Sequence, residues 1–365
     1  MKLLLKEIRH NPLLWLLAFV PVLFVVEHLR PASGTLLFVL SVLAVVPLAA
    51  LLSHATEAVA ARTGDAVGGL LNATLGNLTE LVIALAALKA GQYALVKASI
   101  VGAVVTNSLF MLGASFLLGG LKHHAQEFNP ASARLQAGQL FLATIALLLP
   151  SATGSADSAL TADFTQQLSL CLAILLIAIY GLGLFFSLKT HRDFFAAAEH
   201  AGEEEGASWP IGLALGTLGG VTVLVALVSE VFVESVQEAA HSLGMTPAFV
   251  GFIVVALVGA AAEMASAFSA ARKNRLDLSV GIALGSASQI ALFVAPVLVL
   301  ASYVIGPTPM TLMFWPGAVV MVLFATVTAT FVCNAGRAAW FTGVLLIGVY
   351  SIFAITLYLM PPRAS

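Results

Sequence analysis

Two glutamates lie in the middle of long apolar stretches, where a charge is costly if the stretch crosses a membrane. Glu80 lies within residues 67–90, and Glu263 lies within residues 246–270. At the centre of a bilayer an ionised carboxylate costs about 2.5–3.5 kcal/mol on insertion scales. Each glutamate can avoid this cost by binding a proton, because desolvation favours the neutral form, or both can share a cation. Proton and cation compete for the same oxygen atoms, so the pair has the chemistry of proton-coupled cation exchange.

The two glutamates belong to two copies of one sequence pattern. Glu263 follows Glu80 by 183 positions, and the same shift places Gly76 on Gly259. Without a gap it also aligns further identical residues: Ala84 with Ala267, Ala87 with Ala270, Gly102 with Gly285, Leu109 with Leu292 and Phe110 with Phe293. The repeat could be an ancient duplication retained only for packing, but the matched carboxylates argue against that interpretation.

Oxygen donors flank both glutamates. A hard cation such as Ca²⁺ takes six to eight oxygen ligands from carboxylates, amides, carbonyls and water. Asn77 precedes Glu80 by three residues, about one helical turn on nearly the same face. We predict Glu80, Glu263 and Asn77 as metal-binding residues, and a supporting set of polar residues near them: Thr79, Asn107, Ser286, Ser288 and Gln289. No Lys or Arg occurs at this depth, so an ion pair has no candidate partner.

A third group of acidic residues is predicted on the approach to the site. Glu230, Glu234 and Glu238 are spaced four apart and therefore share one helical face. Glu57 precedes the first glutamate motif much as Glu238 precedes the second. These residues could guide cations, or they could be structural. The acidic run 199–205 is either a solvated loop or a segment that gathers cations.

The composition is that of a membrane protein. Hydrophobic residues make up 60% of the chain, charged residues make up 9%, and mean hydropathy is +1.02, whereas soluble domains have roughly 25% charged residues. Cys171 and Cys333 lie deep in apolar runs, and we predict that both are packing residues. Eleven stretches are long enough to span a bilayer, at residues 12–29, 34–61, 67–90, 93–120, 131–150, 165–188, 209–235, 246–270, 276–303, 309–331 and 337–359. The first is predicted to be a retained span rather than a cleaved signal peptide.

The distribution of Lys and Arg predicts the orientation, because cytoplasmic loops are enriched in these residues. With the N-terminus cytoplasmic and the C-terminus outside, four basic residues fall outside: Arg30, Lys89, Lys97 and Arg363. The other twelve fall inside: Lys2, Lys6, Arg9, Arg62, Lys122, Arg134, Lys189, Arg192, Arg272, Lys273, Arg275 and Arg337. With one span fewer, the later loops would change sides and the bias would disappear. The bias therefore also supports the number of spans.

The fold predicted from these patterns is an all-α polytopic membrane protein of about eleven transmembrane helices. Five spans separate equivalent points of the repeat, so the two halves are inverted relative to each other. We divide the chain into an extra N-terminal helix (1–33), a first five-helix repeat (34–188), an acidic cytoplasmic loop (189–208) and a second repeat (209–365). Inverted repeats are a transporter architecture with the site near the midplane.

The motifs resemble those of the calcium/proton antiporters, the cation-exchanger branch of the calcium/cation antiporter superfamily. The resemblance rests on three stretches that read Gly-Asn-Leu-Thr-Glu-Leu at 76–81, Gly-Ala-Ala-Ala-Glu at 259–263 and Gly-Ser-Ala-Ser-Gln-Ile-Ala-Leu-Phe-Val-Ala-Pro at 285–296. It implies that Glu80 and Glu263 exchange the ions, that Asn77 and Gln289 help form the site, and that Glu230 and Glu238 lie on its approach. The family's second motif usually reads Gly-Asn-Ala-Ala-Glu-His, whereas Ala260 and Met264 stand at its Asn and His positions.

The expected function is export of Ca²⁺ in exchange for H⁺ across the inner or plasma membrane. The alternatives are exchange of Na⁺ or K⁺ for protons or calcium, a passive channel with the carboxylates as a selectivity ring, and an intramembrane enzyme. The sequence contains no GxSxG or HExxH motif, so we predict no catalytic residue and no enzyme activity. The expected partners are Ca²⁺, H⁺ and the lipid bilayer, with no cofactor and no nucleic acid. The oligomeric state is left open.

Overall fold

The computed structural model describes residues 8, 11–63, 65–156, 162–191 and 209–360. The acidic run 199–205 and the basic residues near the N-terminus lie outside the described residues. Within them, nine helices are long and apolar enough to cross a membrane, and two bent helix pairs bring the number of spans to eleven. The fold class predicted from the sequence is therefore confirmed.

The first half begins with a short 3₁₀ helix, Pro12–Ala18, that leads into α1. Its further elements are, in chain order, α1 (Phe19–Leu29), α2 (Gly34–Ala60), α3 (Asp65–Leu75), α4 (Leu78–Lys89), α5 (Tyr93–Val105), α6 (Leu112–His123), β1 (Ala125–Glu127), α7 (Pro130–Ala156) and α8 (Ala162–Phe185). A π-helical segment, Thr106–Met111, joins α5 to α6 without a break.

The second half repeats this plan. Its elements are α9 (Ile211–Ser242), α10 (Pro247–Phe249), α11 (Ala256–Gly259), α12 (Ala261–Arg272), α13 (Leu276–Gln289), α14 (Ala295–Ile305), α15 (Pro316–Cys333), β2 (Arg337–Ala339) and α16 (Trp340–Leu359). Two π-helical segments, Val250–Val255 and Ile290–Val294, join α10 to α11 and α13 to α14.

One helix in each half is broken at equivalent positions. The axes of α3 and α4 meet at 43°, and the segment Pro247–Gly259 meets α12 at 59°. The first break falls at residues 76–77 and the second at Ala260, which corresponds to position 77 after the shift of 183. Irregular backbone at membrane depth is tolerated only where it is buried in protein or lines a cavity. The breaks are therefore the places to look for a site.

The π-helical segments give a second structural mark of the repeat. Thr106–Met111 in the first half corresponds, after the same shift, to the segment Ile290–Val294 in the second. A π-helical turn inserts an extra residue into a helix and frequently occurs at functional sites. Both segments lie one span after a broken helix, so each half builds the same broken helix followed by a π-bulged helix.

Two contacts between distant segments agree with eleven spans. Strands β1 and β2 pair antiparallel, and α7, α8, α9, the Pro247–Arg272 pair, α13–α14 and α15 lie between them. The hydroxyls of Thr35 and Ser242 are 2.7 Å apart, again with six spans between them. An even number of crossings returns the chain to the same side of the membrane, so both contacts are possible only with such a count.

The structure corrects two predicted span limits. The seventh span continues to Ser242 rather than residue 235, and the tenth begins at Pro316 rather than residue 309. Residues 306–315, called the strap below, form no helix or strand and include two prolines that cannot donate a backbone hydrogen bond. Three buried serine hydroxyls from three helices accept its alternate backbone N–H groups: Ser302 from Met310, Ser169 from Leu312 and Ser151 from Phe314.

The prediction that both cysteines are packing residues is confirmed for one and wrong for the other. Cys333 is buried near the end of α15, whereas Cys171 is exposed on α8. An apolar run gives no warning of this difference, because a helix in a membrane is apolar on its outer face as well as its inner one.

Candidate functional site

A chain of hydrogen bonds joins the two halves at the helix breaks. Asn77 donates through Nδ2 to Gln289 Oε1 at 2.6 Å. Ser286 donates to Asn77 Oδ1 at 2.7 Å and accepts from Asn107 Nδ2 at 2.8 Å. Asn77 and Asn107 belong to the first half, and Ser286 and Gln289 belong to the second. All four were predicted as site residues from the sequence, and the structure brings them together.

The two glutamates lie beside this chain, each in the first turn of the half-helix that follows a break. The Glu263 carboxyl faces the Ser286 hydroxyl and lies close enough to Glu80 for their charges to repel. Glu80 packs against the other half, because a β-carbon placed on Gly259 would lie 2.9 Å from its Cγ and 3.3 Å from its Cδ. Glycine at position 259 therefore makes room for the carboxylate of the opposite repeat.

Three oxygen atoms at this site are buried and without a hydrogen-bond partner: Glu80 Oε1, Glu263 Oε2 and Asn107 Oδ1. Unpaired buried polar atoms are rare in native proteins and call for a physical explanation. Lys89 pairs with Glu230 away from the site, and no Lys or Arg among the described residues acts on Glu80 or Glu263. A proton on each, or a cation between them, would satisfy these oxygens.

The local fold favours a carboxylate at each break. The first N–H groups of a helix have no intrahelical partner, and the N-terminus carries a partial positive charge. Glu80 and Glu263 lie in the first turns of α4 and α12, so the partial positive charge of each helix N-terminus lies next to a carboxylate. The two half-helices begin from opposite repeats, so their positive ends converge on the same carboxylate pair.

Two of the predicted supporting residues do not join the cluster. Ser288 donates to the carbonyl of Gly285 in its own helix at 2.9 Å. Thr79 is buried on α4, and no hydrogen bond within the described part of the chain links its hydroxyl to the site. Both lie one or two residues from a site residue, so they point to a different side of the same helix.

The predicted approach residues lie at opposite ends of two long antiparallel helices, α2 and α9. Glu230, Glu234 and Glu238 are exposed along the last three turns of α9, at the end where Ser242 meets Thr35. Glu57 lies near the other end of α2, where its Oε1 accepts from Ser53 at 3.2 Å. Glu230 is bound by Lys89 at 2.8 Å. The repeat therefore places one acidic position near each end of the helix pair.

Two site neighbours have no equivalent in the repeat and were not predicted. Tyr180 on α8 donates to the carbonyl of Ala73 at 2.9 Å, which satisfies a carbonyl left free where α3 ends. Its ring stacks on Phe293 with 5.1 Å between centroids. Gln136 on α7 has a buried, unpartnered Oε1, and its Nε2 would lie 3.6 Å from a β-carbon on Gly285. The sequence feature that could have pointed to Tyr180 and Gln136 is that each places a polar group within an otherwise apolar span.

The donor set consists of oxygen atoms, which are the ligands that a hard cation takes. Within the described residues no group of three or more His, Cys, Asp and Glu side chains is placed to hold a metal. The site instead offers two carboxylates, an unpaired amide oxygen and nearby hydroxyls, and water would complete the coordination of such an ion. Ala260 and Met264, which replace the Asn and His of the family's usual second motif, are both buried here, at 0% and 8% exposure.

Broken helices from two inverted halves, meeting at unpaired carboxylates, place this chain in the class of inverted-repeat membrane transporters. More particularly, it belongs to the sodium/calcium exchanger protein family, whose model matches residues 33–189 and 213–359. This confirms the resemblance identified from the motifs.

Relatives and a solved structure agree with this assignment. The chain is 39% identical over 359 residues to a Ca(2+)/H(+) antiporter of Aphanothece halophytica, covering 95% of this chain and 96% of that protein. It is 40% identical over 361 residues to a Ca(2+)/H(+) antiporter of Synechocystis sp., with the same coverage of 95% and 96%. The solved structure of native YfkE superposes with a TM-score of 0.83 at 35% identity, covering 96% of this chain and all of that one.

Proposed function

We propose that this protein is a secondary antiporter that exports Ca²⁺ from the cytoplasm in exchange for protons. The observation that carries the proposal is the pair of adjacent, unpaired carboxylates, Glu80 and Glu263, each with one buried oxygen that has no partner. Its relatives named as Ca(2+)/H(+) antiporters support calcium as the transported cation. The protein would act in the inner or plasma membrane.

In the proposed cycle, the carboxylates release the cation outside as they take up protons. The neutral, protonated site then becomes open to the cytoplasm, where protons leave and a cation binds. If both carboxylates change protonation, two protons replace one divalent ion and the charge of the site stays balanced. Because carboxylates bind either species but not both at one oxygen, the competition itself couples the two fluxes.

We place the N-terminus in the cytoplasm and the C-terminus outside, with the two five-helix repeats at 34–188 and 209–365. In that orientation α12 runs from the site towards the cytoplasm. Its Ala265, Ser266 and Ser269 are exposed, whereas residues 250–259, on the outer side of the break, are mostly buried. This difference supports a state that is open to the cytoplasm and closed to the outside.

The test is calcium uptake by everted vesicles that carry a pH gradient. Glu80→Gln and Glu263→Gln keep the size and hydrogen-bonding capacity of each side chain but remove its charge, so each should abolish uptake. Glu127→Gln, at an exposed position in β1, is the matched control and should transport normally. Normal uptake in both site variants would refute the proposal.

A monovalent cation is the second candidate, and one observation favours it. Ala260 and Met264 supply neither an amide oxygen nor an imidazole ring at positions buried beside the site, and a site with fewer oxygens suits a less demanding ion. Uptake measured with Ca²⁺, Na⁺ and K⁺ at two pH values distinguishes the candidates. Flux that continues without a proton gradient would instead indicate a passive channel.

A further inference from the structure

A buried polar seam runs from the site along the interface of α6 and α13. Hydrogen bonds lie at each end of the seam: the π-helical segment that precedes α6 bonds to α13 at one end, and β1, which follows α6, bonds to α12 and to the turn before α13 at the other. At the site, Asn107 donates to Ser286 at 2.8 Å. At the cytoplasmic end, in the orientation proposed above, Gln126 donates to Asn274 Oδ1 at 2.8 Å and to the carbonyl of Ala271 at 2.9 Å. These contacts mark the two ends of the interface between α6 and α13.

One buried serine from each helix lies between these contacts. Ser279 precedes Ser286 by seven residues, which is two helical turns and therefore the same face of α13. Ser115 follows Asn107 by eight residues, but the π-helical turn at 106–111 absorbs one of them, so it too returns to the same face. The helices run antiparallel, so the two serines lie at a similar depth.

The hydroxyls of Ser115 and Ser279 have no hydrogen-bond partner, and both residues are fully buried. Serine in a helix commonly bonds a carbonyl in its own preceding turn. Ser108 and Ser229 do so, each at 2.6 Å. Because the two seam serines do not, their hydroxyls are free to face the interface between the helices.

Unpartnered oxygens also lie at the two ends of the seam. Asn107 Oδ1 is unpaired beside the exchange site, and Gln126 Oε1 is unpaired at the other end, against Gly119 of α6. Four of the buried unpartnered atoms therefore lie along one interface. Ordered water held by two to four polar groups is the usual way in which native proteins satisfy such atoms.

We propose that Ser115 and Ser279, bridged by ordered water, form a proton path between Glu263 and the cytoplasmic surface, separate from the route of the cation. This inference rests on the proposed function. A proton released by Glu263 passes to the Ser286 hydroxyl, which turns away from Asn77 Oδ1 and releases its own proton to a water oxygen in the seam. Each serine and water repeats this exchange of one O–H bond for another, and the proton leaves beside Gln126.

The cation takes a different route because of its size. The seam is closed to solvent, with Ser115 and Ser279 at 0% exposure, so a hydrated ion cannot enter it. The exposed face of α12, with Ser266 and Ser269, offers the wider approach. Two routes would let a proton leave the site while a cation occupies the approach.

Size-matched substitutions test the seam. The double variant Ser115→Val/Ser279→Val removes both hydroxyls, whereas Ser115→Thr/Ser279→Thr adds nearly the same volume and keeps them. Two rates are compared in the same vesicles: Ca²⁺/H⁺ exchange, and exchange of radioactive for non-radioactive Ca²⁺, which moves no proton. The valine variant should lower the first rate about a hundredfold, the low end of contributions from positioned proton transfer, and leave the second unchanged. The threonine variant should keep both rates.

Other results would overturn the inference. Equal ratios of the two rates in the valine and threonine variants would show that the hydroxyls carry no protons. A proportional fall of both rates would show a packing defect. If neither pair folds, Ser115→Ala/Ser279→Ala with the same two rates replaces them, and an unchanged ratio there counts equally against the path. Glu263→Gln, measured in parallel, tests the proposed function separately, because its failure to block exchange would refute that function whatever the serine variants do.

Discussion

At the scale of single residues, the two halves are unequal at one position. Asn77 at the first break both donates to Gln289 and accepts from Ser286, whereas the equivalent Ala260 at the second break offers no polar side-chain atom. Because Ala260 is fully buried there, an asparagine side chain would have the site as its nearest polar surroundings. The break itself is therefore polar in the first half and apolar in the second.

This inequality predicts that Ala260→Asn strengthens calcium binding. One added amide oxygen is worth about 1 kcal/mol, which corresponds to about fivefold in affinity. Binding of radioactive calcium to the purified protein measures it. Ala260→Leu, which has nearly the shape of asparagine but no oxygen, should give no gain, and a similar gain from leucine would show that packing is responsible.

Much of the site could be predicted from residue types and the repeat. The glutamate pair, Asn77 and Asn107 were found because a polar group in an apolar span is rare. The predicted set of site residues was too large because side chains close in sequence can face different sides of one helix. Ser286 joins the site, whereas Ser288, two residues later, does not. Tyr180 was missed because no repeat marks it, and its contact with α3 depends on how distant helices pack.

At the scale of elements, the strap shows where hydropathy misleads. Residues 309–315 are apolar enough to be taken for the start of a span, yet they form no helix, and Met310, Leu312 and Phe314 are buried at 6% exposure or less. The prolines at 307, 309 and 316 were the sequence feature that could have predicted a later start of the helix. What the sequence could not provide was the partner for each backbone N–H, since these are serines on three separate helices.

The strap predicts that its serines contribute to stability. Ser151→Ala, Ser169→Ala and Ser302→Ala each leave one buried backbone N–H unpaired, at a cost of about 1–3 kcal/mol. Thermal unfolding of the detergent-solubilised protein should therefore begin at a lower temperature in each variant, and lower still in the triple variant. Ser99→Ala is the matched control, because Ser99 only donates to Val96 of its own helix. Equal melting of strap and control variants would contradict this role.

At the scale of the whole molecule, the side we place outside is closed by contacts between the repeats. The turn between α4 and α5 holds α9 by two bonds, from Lys89 to Glu230 at 2.8 Å and from Gln92 to the carbonyl of Val233 at 2.9 Å. An exposed ion pair alone contributes little to stability. Its importance here is its position, because in the cycle proposed above this turn and α9 separate when the site opens to the outside.

A cross-link between these two elements should therefore stop exchange. In a background without Cys171 and Cys333, Lys89→Cys and Glu230→Cys are joined by a bifunctional thiol reagent about as long as the two original side chains, since a direct disulfide needs β-carbons about 4 Å apart. Ca²⁺/H⁺ exchange should be lost, while binding of calcium from the cytoplasmic side persists. The single variants treated with the same reagent are the controls. The cross-link blocks opening and leaves the carboxylates untouched, so loss of both exchange and binding would indicate damage to the site. Full exchange in the cross-linked protein would show that this turn does not move.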